Sequence, residues 1–185
     1  MQQRTLGPLG PTSILTLGGG GLGQLWGETT RDECVATVRE AVDGGIDLLD
    51  MAPRYGDGEG EEVVGAAFGR QMPSHVRVTT KCFVGNMATP GIEAHIRSLL
   101  EASLKRLRVD AVDVFFLHSN ISPDGDPMNT SPDAPTRLTP HAAFAEFVRP
   151  TFEALVKEGK AKNWGITGIG HPDTILQVLG ETPKP

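Results

Sequence analysis

The chain has 185 residues, of which 38% are hydrophobic and 22% charged, with a formal net charge of −6. That length suffices for one globular domain with a sizeable core, and the acidic balance argues against nucleic acid or an anionic membrane surface as a partner. No run of about 18 apolar residues exists to span a membrane; the opening MQQRTLGPLGPTS lacks the apolar stretch of a secretory leader; and Cys34 and Cys82 make neither a disulfide framework nor a metal spacing. A reducing cytoplasm is the expected location, and no metal is expected.

Ser13–Leu17 is apolar and β-leaning and reads as a first strand. It runs into LGGGGLGQLWG, residues 17–27, where Gly18, Gly20 and Gly23 match G-x-G-x-x-G. A dinucleotide fingerprint needs a helix opening on its last glycine, so that the helix N-terminus meets the pyrophosphate. The next helix signal is instead the capping box Thr30-Arg31-Asp32-Glu33, several residues too late. The glycines therefore need another reason.

That helix is expected over Arg31–Asp43, with Val35, Val38 and Val42 on one stripe, and Gly44-Gly45 ends it. Ile46–Asp50 reads as a strand, Glu61–Phe68 as a helix, and Val76–Thr80 as a strand ending at Lys81. Thr89-Pro90 opens the longest helix, whose Ile92, Ile96, Leu99, Leu100, Leu104 and Leu107 keep the helical period. Ala111–Leu117 is a strand ending at His118. After a long connection come a helix over His141–Lys157, a strand over Asn163–Ile166 and a helix over Pro172–Leu179.

Five βα repeats of this kind argue for an α/β fold with a parallel sheet, either doubly wound or closed into a barrel. Three strands end in Asp50, Lys81 and His118, and a parallel barrel would bring all three to the face where catalytic groups collect. Tyr55, the only tyrosine, follows Asp50 in the loop MAPRYGDGEG. Each residue has a plainer reading: Asp50 as a loop cap, Lys81 as a snorkelling cation, His118 as the partner of a loop carbonyl, Tyr55 as packing. Arg54, Glu59, Glu61 and Glu62 read as a solvated face, and Cys82 as an inert buried thiol. Convergence of Asp50, Tyr55, Lys81 and His118 on one rim favours chemistry.

The stretch DLLDMAPRYGDGEGEEVVG resembles the signature of aldo-keto reductases. VTTK resembles that family's third strand, VDVFFLHSN its fourth, and KAKNWGITG its fifth, in the family's order. The resemblance implies a (β/α)₈ TIM-barrel type of fold that reduces carbonyls with a nicotinamide cofactor, NADP(H) or alternatively NAD(H). By it, Asp50, Tyr55, Lys81 and His118 would form the catalytic tetrad. Tyr55 would protonate the alkoxide left after hydride transfer, since a nearby lysine favours phenolate. Asp50 would hold Lys81, and His118 would orient the carbonyl of a small-molecule aldehyde, ketone, sugar or alcohol. Gly20 and its neighbours would let backbone pass close to the nicotinamide, with Asp50, Thr167 and Gly168 also beside the cofactor. Trp26 would wall the substrate pocket. Thr167-Gly168 stands where the family usually has Ser-Asn, so a hydroxyl remains for the carboxamide and one side chain is lost.

A barrel of this type takes about 250 residues. Residues 1–185 are therefore expected to form a single partial barrel domain with about five of the eight βα units, a C-terminally truncated piece. Two open sheet edges would invite self-association. Residues 119–140, SNISPDGDPMNTSPDAPTRLTP, are too long and too rich in Pro, Asp and Ser for an ordinary βα loop and read as a lid. Two other functions are compatible with the residues: a Schiff-base lyase using Lys81, and a non-catalytic binding module.

Overall fold

The structure, a computed structural model, describes residues 1–127 and 137–185. It divides into two compact units, the first made of Met1–Lys81 and Glu101–Val114, the second of Cys82–Leu100 and Phe115–Pro185. In chain order the strands are β1 (Gln3–Thr5), β2 (Pro11–Ser13), β3 (Leu17–Gly18), β4 (Leu48–Asp50), β5 (Arg77–Cys82), β6 (Val112–Leu117), β7 (Asn120–Ser122), β8 (Leu138–Pro140) and β9 (Ala161–Ile166). The helices are α1 (Gly19–Leu22), α2 (Arg31–Asp43), α3 (Glu59–Phe68), α4 (Ile92–Leu107), α5 (His141–Ala143), α6 (Arg149–Lys157) and α7 (Pro172–Gly180).

Strands β3-β4-β5-β6-β9 are hydrogen-bonded in that order. The order follows the sequence without a reversal. A doubly wound sheet reverses at a switch point, so the topology is the singly wound kind found in (β/α)₈ barrels. The two closures left open by the hydrophobic pattern are thereby separated.

In the first unit, β1 and β2 form an antiparallel pair with Gln3 opposite Ser13. The expected strand over Ser13–Leu17 is split, because Ser13 is tied elsewhere. Its N–H donates to Asp47 Oδ1 at 2.8 Å and its hydroxyl to the Leu15 carbonyl at 2.6 Å, which turns the chain before β3. Helix α2 begins where the capping box places it: Thr30 Oγ1 accepts from the Glu33 N–H, and Glu33 accepts from the Thr30 N–H at 2.8 Å. Parallel ladders join β3 to β4 and β4 to β5, with Gly18 opposite Asp50 and Asp50 opposite Thr79.

Glu61 overturns the reading of the acidic run as a solvated face. It is 0% exposed. Thr80 Oγ1 donates to its Oε1 at 2.5 Å and Arg106 Nε to its Oε2 at 2.6 Å. Gly65 lets α3 approach this arginine, since a Cβ there would lie 2.1 Å from the Arg106 carbonyl oxygen.

The second unit has an aromatic core. Phe115 and Phe152 lie 5.0 Å apart by ring centroid, and Trp164 meets Phe152 edge-on at 5.7 Å. The helix expected over His141–Lys157 is present and unbroken, widened in its first half: a π-helical stretch, Phe144–Val148, joins α5 to α6, next to Pro150, which has no N–H for a regular ladder. The ends of the 119–140 connection pair as parallel strands β7 and β8, with Ile121 opposite Thr139. The middle of the expected lid, residues 128–136, lies outside the described residues. The C-terminal segment is held through Glu181, which accepts from Arg149, from Gln177 at 3.1 Å and pairs with His141 at 2.9 Å. No helix among the described residues is long and apolar enough to cross a membrane.

Two stability predictions follow from these pairs. Arg106→Met should leave Glu61 buried without its cation and cost about 3–5 kcal/mol in urea unfolding. The second concerns Glu181, whose carboxyl the Arg149 hydrogen bond holds below the usual carboxylate range. A group with a lowered native pKa contributes stability fully above its unfolded value, about 4.3 for glutamate, and loses it as pH falls through the native value. Glu181→Gln should therefore lower stability at neutral pH and flatten its fall on acidification below about pH 4.3. Thermal melts of both proteins across that range measure this.

Candidate active site

The end of β5 carries Lys81 into the first unit with 6% exposure. A cation so placed needs acceptors, and Nζ has three. It donates to Asp50 Oδ1 at 2.8 Å, to the Met51 carbonyl at 2.8 Å and to Tyr55 Oη at 3.4 Å. The phenol contact is long, as such contacts often are before substrate binds. The ammonium also lies 5.1 Å from the Tyr55 ring centroid. Asp50, Tyr55 and Lys81 are thus brought together as the sequence predicts.

Register explains the Asp50 part. Asp50 ends β4 directly opposite Thr79, and Lys81 is two residues further along β5, on the same face. Thr79 Oγ1 donates to Asp50 Oδ1 at 2.6 Å, the same oxygen that accepts a hydrogen bond from the Lys81 ammonium. Sequence reasoning missed Thr79, although the two-residue period of VTTK puts it on the face of Lys81. It also missed the Met51 carbonyl, for which a backbone acceptor leaves no signal.

Tyr55 sits on a turn closed by two backbone bonds, Tyr55 N–H to the Ala52 carbonyl at 3.0 Å and Gly60 N–H to the Tyr55 carbonyl at 3.1 Å. Here the glycine run finds its use. A Cβ on Gly23 would lie 2.4 Å from the Tyr55 carbonyl carbon and oxygen. One on Gly19 would lie 2.7 Å from Met51 Sδ and 3.0 Å from Tyr55 Cδ2. The run forms α1, a four-residue helix that the sequence reading did not anticipate, and lies against the tyrosine loop. Gly20 is buried beneath the Trp26 ring, from which a Cβ would be 2.9 Å, and Trp26 itself is 81% exposed.

In the second unit His118 directly follows β6, half-buried, its N–H donating to the Cys82 carbonyl at 2.7 Å. The next residue, Ser119, is 2% exposed, and its Oγ accepts from the N–H groups of Val84 and Gly85 at 2.9 Å each. Thr167 follows β9, with its N–H on the Leu117 carbonyl at 3.1 Å. Its Oγ1 is buried and has no hydrogen-bond partner among the described residues. Gly168 has φ +67° and open space where a Cβ would stand. Cys82 is 1% exposed, and burial pushes its thiol pKa far up, which makes it inert as read.

The family model described as "Aldo/keto reductase family" matches residues 14–183. The chain is 30% identical over 189 aligned residues to the L-galactose dehydrogenase of Arabidopsis thaliana, covering 99% of this chain and 53% of that protein. It is 36% identical to the aldo-keto reductase YhdN of Bacillus subtilis (strain 168), covering 84% of this chain and 44% of that one. Among solved structures, an aldo-keto reductase from Klebsiella pneumoniae in complex with NADPH superposes with a TM-score of 0.65 at 28% identity, covering 89% of this chain and 49% of that one. The chain spans about half the length of the curated relatives it matches.

The glycine geometry predicts that Gly23→Ala, which puts a methyl group into the Tyr55 carbonyl, costs about 1–3 kcal/mol by overpacking. It should also shift the ring resonances of the single tyrosine in a tyrosine-labelled NMR spectrum. Gly18→Ala, with nothing within 4 Å of its new Cβ, should leave both unchanged.

Proposed function

Because the chain belongs to the aldo/keto reductase family, we propose that it serves NAD(P)H-dependent hydride transfer to the carbonyl of an aldehyde, ketone or sugar, or the reverse. Tyr55 is the general acid/base in this reading. The observation that carries it is the Lys81 ammonium held between Asp50 Oδ1 and Tyr55 Oη.

When bound, the nicotinamide supplies or accepts the hydride. The chain's own work is on the proton and on position. Tyr55 Oη delivers a proton to the substrate oxygen or takes it back. Lys81 offsets the charge on the phenol oxygen as the proton leaves, through field rather than transfer. Asp50 keeps that ammonium in place. His118 is assigned by the family pattern to donate an imidazole N–H to the carbonyl oxygen and orient it.

The unpartnered Thr167 hydroxyl fits a cofactor, since a buried donor and acceptor without a partner is costly and a carboxamide would satisfy it. Gly168, Gly20 and Asp50 are assigned by the same pattern to the nicotinamide's surroundings, and Trp26 to the substrate. NADP(H) is the preferred form, in keeping with the NADPH of the Klebsiella relative. The Schiff-base reading of Lys81 is weakened by its surroundings: a buried nitrogen engaged by three oxygens presents no free face to a carbonyl.

The test is turnover of NADPH with a reactive aldehyde such as nitrobenzaldehyde, followed by cofactor absorbance. Tyr55→Phe should lower the rate by about 10²–10⁴-fold, the contribution of a positioned general acid. Equal rates for the two proteins would remove Tyr55 from the mechanism.

A further inference from the structure

We propose that Thr79 is a positioning residue for this site: its hydroxyl fixes the Asp50 carboxylate, and through it the Lys81 ammonium, beneath the Tyr55 phenol. The proposal rests on the reading of Tyr55 as the proton carrier.

Asp50 has a side chain 36% exposed at a strand end, whereas Lys81 is nearly buried. A carboxylate in that position can rotate toward water, and each such excursion would leave a buried cation short of an acceptor. Two donors converging on one oxygen prevent it. Thr79 Oγ1 is 2.6 Å from Asp50 Oδ1, and Lys81 Nζ is 2.8 Å from the same atom. Thr79 is 3% exposed, so its hydroxyl has no water to turn to. Its β-branched side chain is stiff about χ1, which makes it a donor aimed in advance.

The partition along β5 sharpens the case. Thr79 and Thr80 are adjacent and equally hidden, at 3% and 0% exposure. Strand alternation sends them to opposite faces. Thr80 donates to Glu61, which belongs to the packing of α3, and Thr79 donates to the site. The two threonines are therefore paired controls within one tetrapeptide.

The experiment uses Thr79→Val, which keeps shape and strand preference, and Thr79→Ser, which keeps the hydroxyl. The first readout needs no cofactor. In lysine-labelled protein, the Lys81 ammonium, held by three acceptors and shielded from water, gives a slowly exchanging nitrogen–proton signal, assigned by its absence in Lys81→Met. Thr79→Val should shift or broaden that signal, and Thr79→Ser should restore it. The second readout is turnover: kcat should fall about ten- to a hundredfold in Thr79→Val, the scale of a lost hydrogen bond to a charged group. The aldehyde KM should change little, and Thr79→Ser should recover most of kcat. A Lys81 signal unchanged in Thr79→Val overturns the proposal. So does a wild-type kcat in that variant, or a Thr79→Ser protein that behaves like the valine one. A wild-type protein without turnover would refute the reductase reading, while the ammonium signal would still decide the role of Thr79.

Discussion

A buried ammonium is the constraint around which the first unit is arranged. Lys81 lies at the end of a strand whose flanking residues are hidden, and its charge can be kept there only with close acceptors. The parallel register of β4 and β5 supplies them. It sets Asp50 opposite Thr79, within reach of a lysine two residues on, and brings the Met51 carbonyl to the same nitrogen. The phenol of Tyr55 is the remaining oxygen in contact. A pair of strands slipped by one residue would turn Asp50 and Lys81 to opposite faces, so the ladder and the site are one specification.

The glycine run belongs to the same specification, although its sequence resembles a phosphate loop. Phosphate binding would require a helix of some length opening on the last glycine. The residues form instead a four-residue helix pressed on the tyrosine loop, with Gly23 against the Tyr55 carbonyl and Gly19 against Met51 and the Tyr55 ring. Glycine is needed here for the absence of a Cβ rather than for its backbone amides. The missing Cβ atoms let the run close on the turn that carries the phenol, in the same way that Gly65 lets α3 close on Arg106.

How much of this was legible in the sequence depends on the range of the interaction. Helix α2 was readable to its bounds, because the capping box is a local hydrogen-bond pattern and Gly44-Gly45 a local stop. Asp50, Tyr55 and Lys81 were readable from their positions at strand ends and in a strand-following loop. Glu61 was not, since in an acidic run it looks the same as the half-buried Glu59 and Glu62, and its burial depends on Arg106, 45 residues away. The helix over residues 141–157 was readable from its periodicity, whereas its widening at Phe144–Val148, beside Pro150, was not. Thr79 was legible in principle from alternation alone, and was passed over because a threonine in a strand ordinarily signals only β preference.

The tetrapeptide VTTK serves two different carboxylates from the two faces of one strand. On one face, Thr80 meets Glu61 and Arg106, a buried carboxylate fully matched by a hydroxyl and a guanidinium. On the other, Thr79 and Lys81 meet Asp50, a carboxylate left 36% exposed. The first arrangement leaves Glu61 no room to respond and suits a fixed joint between α3 and the end of α4. The second places a positive charge beside a phenol oxygen while keeping one carboxylate partly open to whatever approaches the strand ends. Both join a threonine hydroxyl and a side-chain cation to one carboxylate, at distances of 2.5–2.8 Å. What distinguishes them is exposure, and exposure is set by which side of the pleat each residue occupies. That is why the meeting of Asp50, Lys81 and Tyr55 in this chain depends first on the register of β4 and β5, and only then on the identities of the residues that the ladder brings together.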